Sequence, residues 1–264
     1  MRMRINLLLV FCLCSTLRLG AIPLHPGTPP IMISGVPVLT DTLMPPGMYN
    51  ITYRVPADTQ QINAYTQLLQ YEYNKYPTAY VAHLGIKQIV LCSKLQLNTQ
   101  ARTAIPDVST QTLYLEIDGS YGLQNPAYLI HVMHHELHHY AEYALWHDMY
   151  HHWPKWKLAN GICRKYLGAG AMAYADPTID WYSFTHPKKG FMNNYSTTAA
   201  EEDRCELVGL LMTEEGVNAL KHYYLQDARL RRKVKTVAAL LNKISLSKQN
   251  YWSQQLKWLN RTPD

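Results

Sequence analysis

Within the stretch His131 to His139, which holds five of the chain's twelve histidines, one pattern restricts the possible folds more than any other: His135-Glu136-Leu137-His138-His139. On a helix, residues four apart stand one above the other on the same face, so His135 and His139 present two imidazole nitrogens to a single tetrahedral Zn²⁺. Glu136, one step round the helix, reaches a water at such an ion without being a ligand, which is the geometry of a general base. The tract offers three histidine pairs at this spacing, 131/135, 134/138 and 135/139. Only the last has a carboxylate directly after its first histidine. A histidine-rich helix that binds metal loosely, or that merely covers a surface, is the competing reading.

A catalytic zinc keeps three protein ligands and one open position. No third histidine follows at close spacing, since Tyr140, Ala141, Glu142 and Tyr143 come next. His147 and His151 continue the face, but at 1.5 Å per residue His147 lies about 12 Å from His139. The third ligand is therefore expected from a second helix packed against the first. Residues 197–212 provide a candidate. Thr198 followed by Glu201 reads as a capping box, and Leu207, Val208, Leu210, Leu211 and Met212 continue as a buried helix. Glu202 and Glu206 share one face at four-residue spacing, so Glu202 is the expected zinc ligand and Glu206 the group that hydrogen-bonds a ligating histidine from behind. Glu201 is the alternative ligand. An acidic start favoured by the helix dipole would also explain Glu201 and Asp203.

Taken together, His134-His135-Glu136-Leu137-His138-His139, Gly190-Phe191-Met192-Asn193-Asn194-Tyr195-Ser196 and Glu202-Asp203-Arg204-Cys205-Glu206 resemble a family of zinc metallopeptidases. That family is marked by a His-His-Glu-x-x-His helix and a later Gly-Phe-x-x-x-Tyr-Ala, Glu-Asp-x-Ala-Glu block. The chain departs from it at Ser196 and Cys205, where alanine is usual. The likeness covers residues from about 110 to 215, and the group is similar to the glutamate-liganded zincins and, more distantly, to the protease domain of anthrax lethal factor. The resemblance implies a catalytic role for Tyr195, seven residues before Glu202, as donor of a hydrogen bond to the oxyanion that forms when water attacks a carbonyl. With twenty tyrosines in the chain, ordinary packing is the other reading of this one.

The implied activity is metal-assisted hydrolysis of a peptide or protein substrate, with Glu136 passing the proton of water to the leaving amine. Two other hypotheses stand beside it: a zinc hydrolase of a non-peptide amide, and a catalytically inactive metal- or peptide-binding protein. The retained Glu136 speaks against the last, because a binder has no need of a base beside its metal.

The ends of the chain bear on where this chemistry would occur. Met1-Arg2-Met3-Arg4 and the apolar run Ile5 to Leu17 read as a secretory signal peptide over residues 1–21, too short for a membrane span. A lipoprotein anchor at Cys12 or Cys14 is the alternative. The expected location is secreted or periplasmic, with no membrane span after removal of the signal. Removal takes away Arg2, Arg4 and Arg18 and no acid, lowering the formal charge from +6 to +3. Such a balance gives no case for nucleic acid; the basic run from Arg229 to Lys235 reads as a solvated helix face. Cys92, Cys163 and Cys205 remain, which excludes a disulfide-built scaffold. Cys205, between Glu202 and Glu206, reads as a small buried core residue with thiolate ligation as the alternative.

Residues 22–57 carry eight of the fifteen prolines and read as an extended arm. From residue 58 the pattern is regular. A helix capped by Asp58 or Thr59 is expected to run to about Tyr76, followed by strands over Lys87–Leu97 and Gln111–Ile117. The resemblance to zincins implies that a strand of this sort borders the cleft, so this region is expected to receive substrate by β-augmentation. The active-site helix is expected from Pro126 to His147 with Asn125 as its cap. A loop-rich insert then spans Pro154–Ser196, in which Trp153, Trp156, Trp181 and Tyr182 either line the cleft or pack in the core. Helices are expected near Val217–Ile244 and Lys248–Leu259. The whole reads as one α+β, zincin-like domain over residues 58–264, a small sheet packed on the active-site helix with a helical C-terminal part.

Overall fold

A computed structural model describes residues 22–23, 30–44, 49–245 and 250–261 of the chain; the expected signal peptide over residues 1–21 lies outside the described residues. Its strands are β1 (Ile22–Pro23), β2 (Ile31–Ile33), β3 (Val36–Leu39), β4 (Thr42–Leu43), β5 (Ile51–Arg54), β6 (Gln88–Leu97), β7 (Gln100–Ala101), β8 (Ala104–Asp107) and β9 (Thr112–Glu116). Its α-helices are α1 (Thr59–Tyr73), α2 (Thr78–His83), α3 (Ser120–Gln124), α4 (Pro126–Trp146), α5 (Pro154–Asn160), α6 (Ala200–Met212), α7 (Glu214–Tyr224), α8 (Ala228–Ser245) and α9 (Tyr251–Leu259).

Strand β6 is the axis of the sheet, whose order is β2-β3-β6-β9-β8. Its first half runs parallel to β3 and β9, while its second half pairs antiparallel with β5 and β7. Lys94, at a φ of 53°, marks the change of partners. Side chains alternate across the sheet as a period of two requires. Ile89 and Leu91 enter the large helix-covered core, and Val90 and Cys92 enter a smaller cluster with Tyr114 and Tyr53 on the other face.

Two sequence expectations change here, and part of the extended arm is placed. Of the proline-rich stretch, β2 and β3 lie along the domain as strands of the main sheet, and Ile33, Val36 and Val38 are buried in its core. The sheet offers each of them an apolar face, which outweighs the local proline content. The Gln111–Ile117 strand, observed as β9, is paired on both sides, with β6 and with β8, so it has no open edge for another chain. The edge belongs to β8, whose Pro106 is tolerated where one amide is not needed by a neighbour. Finally, the expected helix over Val217–Ile244 is two helices, separated by a turn at Leu225–Asp227.

The helix boundaries follow local chemistry. Asp58 caps α1 by accepting from the amides of Gln60 and Gln61 at 2.8 and 3.1 Å. Pro126 opens α4, where its missing amide costs nothing. Asn125 holds the cap position of α4, yet its side-chain amide donates to Tyr121 O at 2.8 Å instead of accepting from the helix. The helix ends at His147, which adopts the left-handed conformation at φ 53°. The face of α4 bearing Met133, Leu137, Tyr140 and Ala141 is sunk in the core; replacing Leu137 by alanine would cost about 2–5 kcal/mol.

Candidate metal centre

Helices α4 and α6 pack directly on one another, which brings the two separated motifs together. The histidine tract divides its side chains among different partners. His134 turns to α1, where its Nε2 lies 2.7 Å from Glu72 and its Nδ1 3.0 Å from the Tyr76 hydroxyl. His138 lies 3.3 Å from Glu142, a residue clamped by Arg204 of α6. His131, His135 and His139 face α6.

Glu202 Oε2 stands 3.1 Å from His135 Nε2 and 3.6 Å from His139 Nε2. A tetrahedral ion with bonds of about 2.0–2.1 Å sets its ligand atoms about 3.3–3.4 Å apart, so these separations match the edges of a zinc polyhedron. Glu206 Oε1 lies 2.9 Å from His135 Nδ1, and also 3.1 Å from His131 Nε2. Asn193 Nδ2 donates to its other oxygen at 2.5 Å. The sequence-derived residues His135, His139, Glu202 and Glu206 are thus adjacent in space.

Two other donor sets meet at His135. One is His135, His139 and Cys205, the other His131, His135 and Glu206, with the donor atoms of each set within 4.8 Å of one another. Their chemistry suits a metal less well. Burial, then the negative charges of Glu142 and Glu202, push the Cys205 thiol well up, so ligation there would first have to displace its proton. Glu206 is already committed to His131, His135 and Asn193. Glu202, like Glu206, is held well below the ordinary carboxylate range, because its bonds to His135 and His139 outweigh the effect of burial. An anionic carboxylate with two imidazoles is a donor set that zinc accepts, so the residues present fit the ion.

Glu136, His135, His139, Tyr195, Glu202 and Glu206 line one cleft of about 280 Å³. Burial raises the Glu136 carboxyl, a shift that His135 and His139 counteract. The facing wall is formed by Arg102 to Pro106, which includes the edge strand β8. Tyr195 begins a short 3₁₀ turn, Tyr195–Thr197, and its ring centroid is 5.9 Å from that of His135. A Cβ on Gly170 would stand 2.3 Å from Glu202 Oε1 and 2.9 Å from the Tyr195 hydroxyl, so the insert crosses the site at a residue without a side chain.

The expected capping box does not form. Ala199 is the cap residue of α6, and Thr198 Oγ1 donates to Tyr195 O at 2.7 Å; the hydroxyl serves the preceding 3₁₀ turn. Of the aromatic residues of the insert, Trp156 and Trp181 are buried, whereas Tyr182 lines the cleft. Sequence reasoning missed Gly170 and Asn193. Nothing in their local pattern marks them, because each acts through a fold-dependent approach to Glu202 or Glu206. Cys92, Cys163 and Cys205 are all free thiols. Among the described residues, no helix is long and apolar enough to cross a membrane.

No protein-family model matches the chain, and no curated protein sequence does. Its fold is similar to that of a solved protein from Bacteroides caccae ATCC 43185 described as a "putative zinc-binding metallo-peptidase", with a TM-score of 0.50 over 78% of this chain and 78% of that chain. At 13% identity the likeness is one of α+β fold.

Proposed function

We propose that the chain is a secreted or periplasmic zinc-dependent metallopeptidase. The observation that carries this reading is the convergence of His135 Nε2 and His139 Nε2 on Glu202 Oε2, at 3.1 and 3.6 Å, on the floor of a cleft that Glu136 and Tyr195 also line. The zinc-binding metallo-peptidase description of the structural neighbour agrees with it.

His135, His139 and Glu202 would hold the ion, and Glu206 would fix the His135 ring by accepting from Nδ1–H. When bound, zinc supplies Lewis acidity and brings the pKa of water from about 15.7 to about 7. Glu136 takes the proton of the attacking water and returns it to the departing amine, a task suited to a carboxyl raised by its surroundings. The Tyr195 hydroxyl donates to the carbonyl oxygen as negative charge develops there. An extended substrate lies along β8, the open sheet edge on the facing wall, where main-chain hydrogen bonds hold it irrespective of side-chain identity.

The test is metal analysis of the purified protein together with its cleavage of an unstructured protein. One equivalent of zinc and chelator-sensitive cleavage are expected in the wild type, with the zinc lost in Glu202→Ala. Equal zinc content in the two proteins would remove Glu202 from the donor set.

A further inference from the structure

The proposed ligands leave one carboxylate in the same helical turn without a task. Glu201 is 8% exposed and lines the cleft beside His139, Met149 and Tyr150. Among the described residues its carboxylate makes no salt bridge and no hydrogen bond to another residue. Arg204, in the same helix, is bound to Glu142 through two nitrogens. Among the described residues that line the cleft, the lone lysine or arginine is Arg102 on the facing wall, whose guanidinium donates to Ala101 O and Gln100 Oε1.

A start-of-helix acid is favoured by the helix dipole wherever it points. That accounts for an acid at this position but not for its burial in the cleft wall, where Glu202 repels it and Arg204 and His139 attract it without bonding to it. Such a carboxylate is stabilised further by a positive group that reaches it through the cleft. Tyr150 lines the same part of the cleft with 67% of its surface exposed. The face of an aromatic ring attracts cations at exposed sites as well as at buried ones.

We propose that Glu201 and Tyr150 form a cation-reading subsite of the cleft, selecting peptides that carry an ammonium or guanidinium group within a residue or two of the bond that is cut. The inference rests on the peptidase reading and names its substrate class. Glu201 and Glu202 line one and the same cleft, so a charge held at Glu201 shares that cleft with the reacting carbonyl. The positive group comes either from a lysine or arginine side chain or from the free α-amino end of a peptide.

Internally quenched eight-residue peptides test this, identical except for one position moved along the chain and filled by Lys, Gln or Glu. Each is made with a free and with an acetylated N-terminus. In the zinc-loaded wild type, kcat/KM for the best Lys peptide should exceed that of its Gln counterpart about tenfold or more. The ratio should collapse towards one in Glu201→Gln and fall partway in Tyr150→Ala. A gain that follows the free N-terminus instead of the lysine position assigns the α-amino group as the cation. No preference in the wild type, or an undiminished preference in Glu201→Gln, overturns the subsite.

If no peptide is cut, the peptidase reading fails, and binding still decides the inference. Fluorescence anisotropy of labelled Lys and Gln peptides on zinc-loaded Glu136→Gln should show the Lys peptide about tenfold tighter. The difference should vanish when Glu201→Gln is added. Equal binding of the two peptides overturns the proposal.

Discussion

Glu206 Oε1 lies 2.9 Å from Nδ1 of His135, on the side of the ring opposite the nitrogen that faces Glu202. The imidazole is therefore held between two carboxylates from one helix; burial acts to lower its pKa, but the bonds to Glu202 and Glu206 outweigh it and raise the group well above its ordinary value. Glu206→Gln should weaken zinc binding about 10–100-fold, and Glu202→Ala should weaken it more, as measured by competition with a chromophoric chelator. An affinity unchanged in Glu206→Gln would reduce that contact to a packing detail.

In the proposed mechanism Glu136 separates binding from chemistry. It lines the same cleft as His135 and His139. Glu136→Gln should retain a full equivalent of zinc while cleavage falls about 10²–10⁴-fold, the range for loss of a positioned acid or base. His139→Ala should lose metal and cleavage together. A Glu136→Gln protein that still cuts at the wild-type rate would assign the base elsewhere.

Tyr195 and Gly170 form a second pair whose effects differ in kind. Tyr195→Phe removes the proposed donor to charge that develops only in the transition state, so kcat should drop about 10²–10³-fold with little change in KM. Gly170→Ala would instead push a methyl to 2.3 Å from Glu202 Oε1. It should lower zinc affinity, read by the same chelator competition, because either the strap or the carboxylate must move.

The part of this site that was legible in the sequence is the part written in helical spacing. Residues four apart must share a face, so His135 with His139 and Glu202 with Glu206 were available from the chain alone, as was the need for two helices to meet. The other members depend on approaches between elements distant in sequence. Asn193 donates to Glu206, and Gly170 lies against Glu202, only because the 154–196 insert folds back over α6. The fold shows the same division. Helix α1 and strands β6 and β9 announced themselves by periodicity, while β2 and β3 sit among prolines and become strands by pairing. Thr198 shows the limit of motif reading, since its hydroxyl had two possible carbonyl or amide partners and the preceding 3₁₀ turn won.

Arg204 is fully buried and binds Glu142 of the active-site helix through two nitrogens. This ion pair ties α6 to α4 beneath the proposed ligands. Arg204→Met leaves Glu142 charged with only His138 nearby, which should cost about 3–5 kcal/mol of stability, measurable by urea unfolding. A loss below about 1 kcal/mol would mean that Glu142 finds water or a proton at little expense.

Asp227 joins the insert to the C-terminal helices, and its contribution should depend on pH. One of its oxygens accepts from the amides of Arg229 and Leu230 at the start of α8, at 2.8 and 3.0 Å. The other accepts from Gly190 N and meets His186 Nε2, at 2.5 and 2.9 Å. Burial acts to raise this carboxyl, but the bonds to Leu230, His186, Gly190 and Arg229 outweigh it and leave the group below its ordinary value. A carboxyl whose pKa is lower in the folded than in the unfolded chain stabilises the fold above the unfolded pKa of about 3.9, and this stabilisation is lost as pH falls through the folded value. Asp227→Ala should therefore destabilise the protein by about 1–3 kcal/mol at pH 7, through the lost cap and the unpaired Gly190 amide. The gap between wild type and variant in urea unfolding should narrow as pH is lowered below about 4. A gap of the same size at pH 7 and pH 3 would show that the carboxylate's charge contributes nothing beyond its shape.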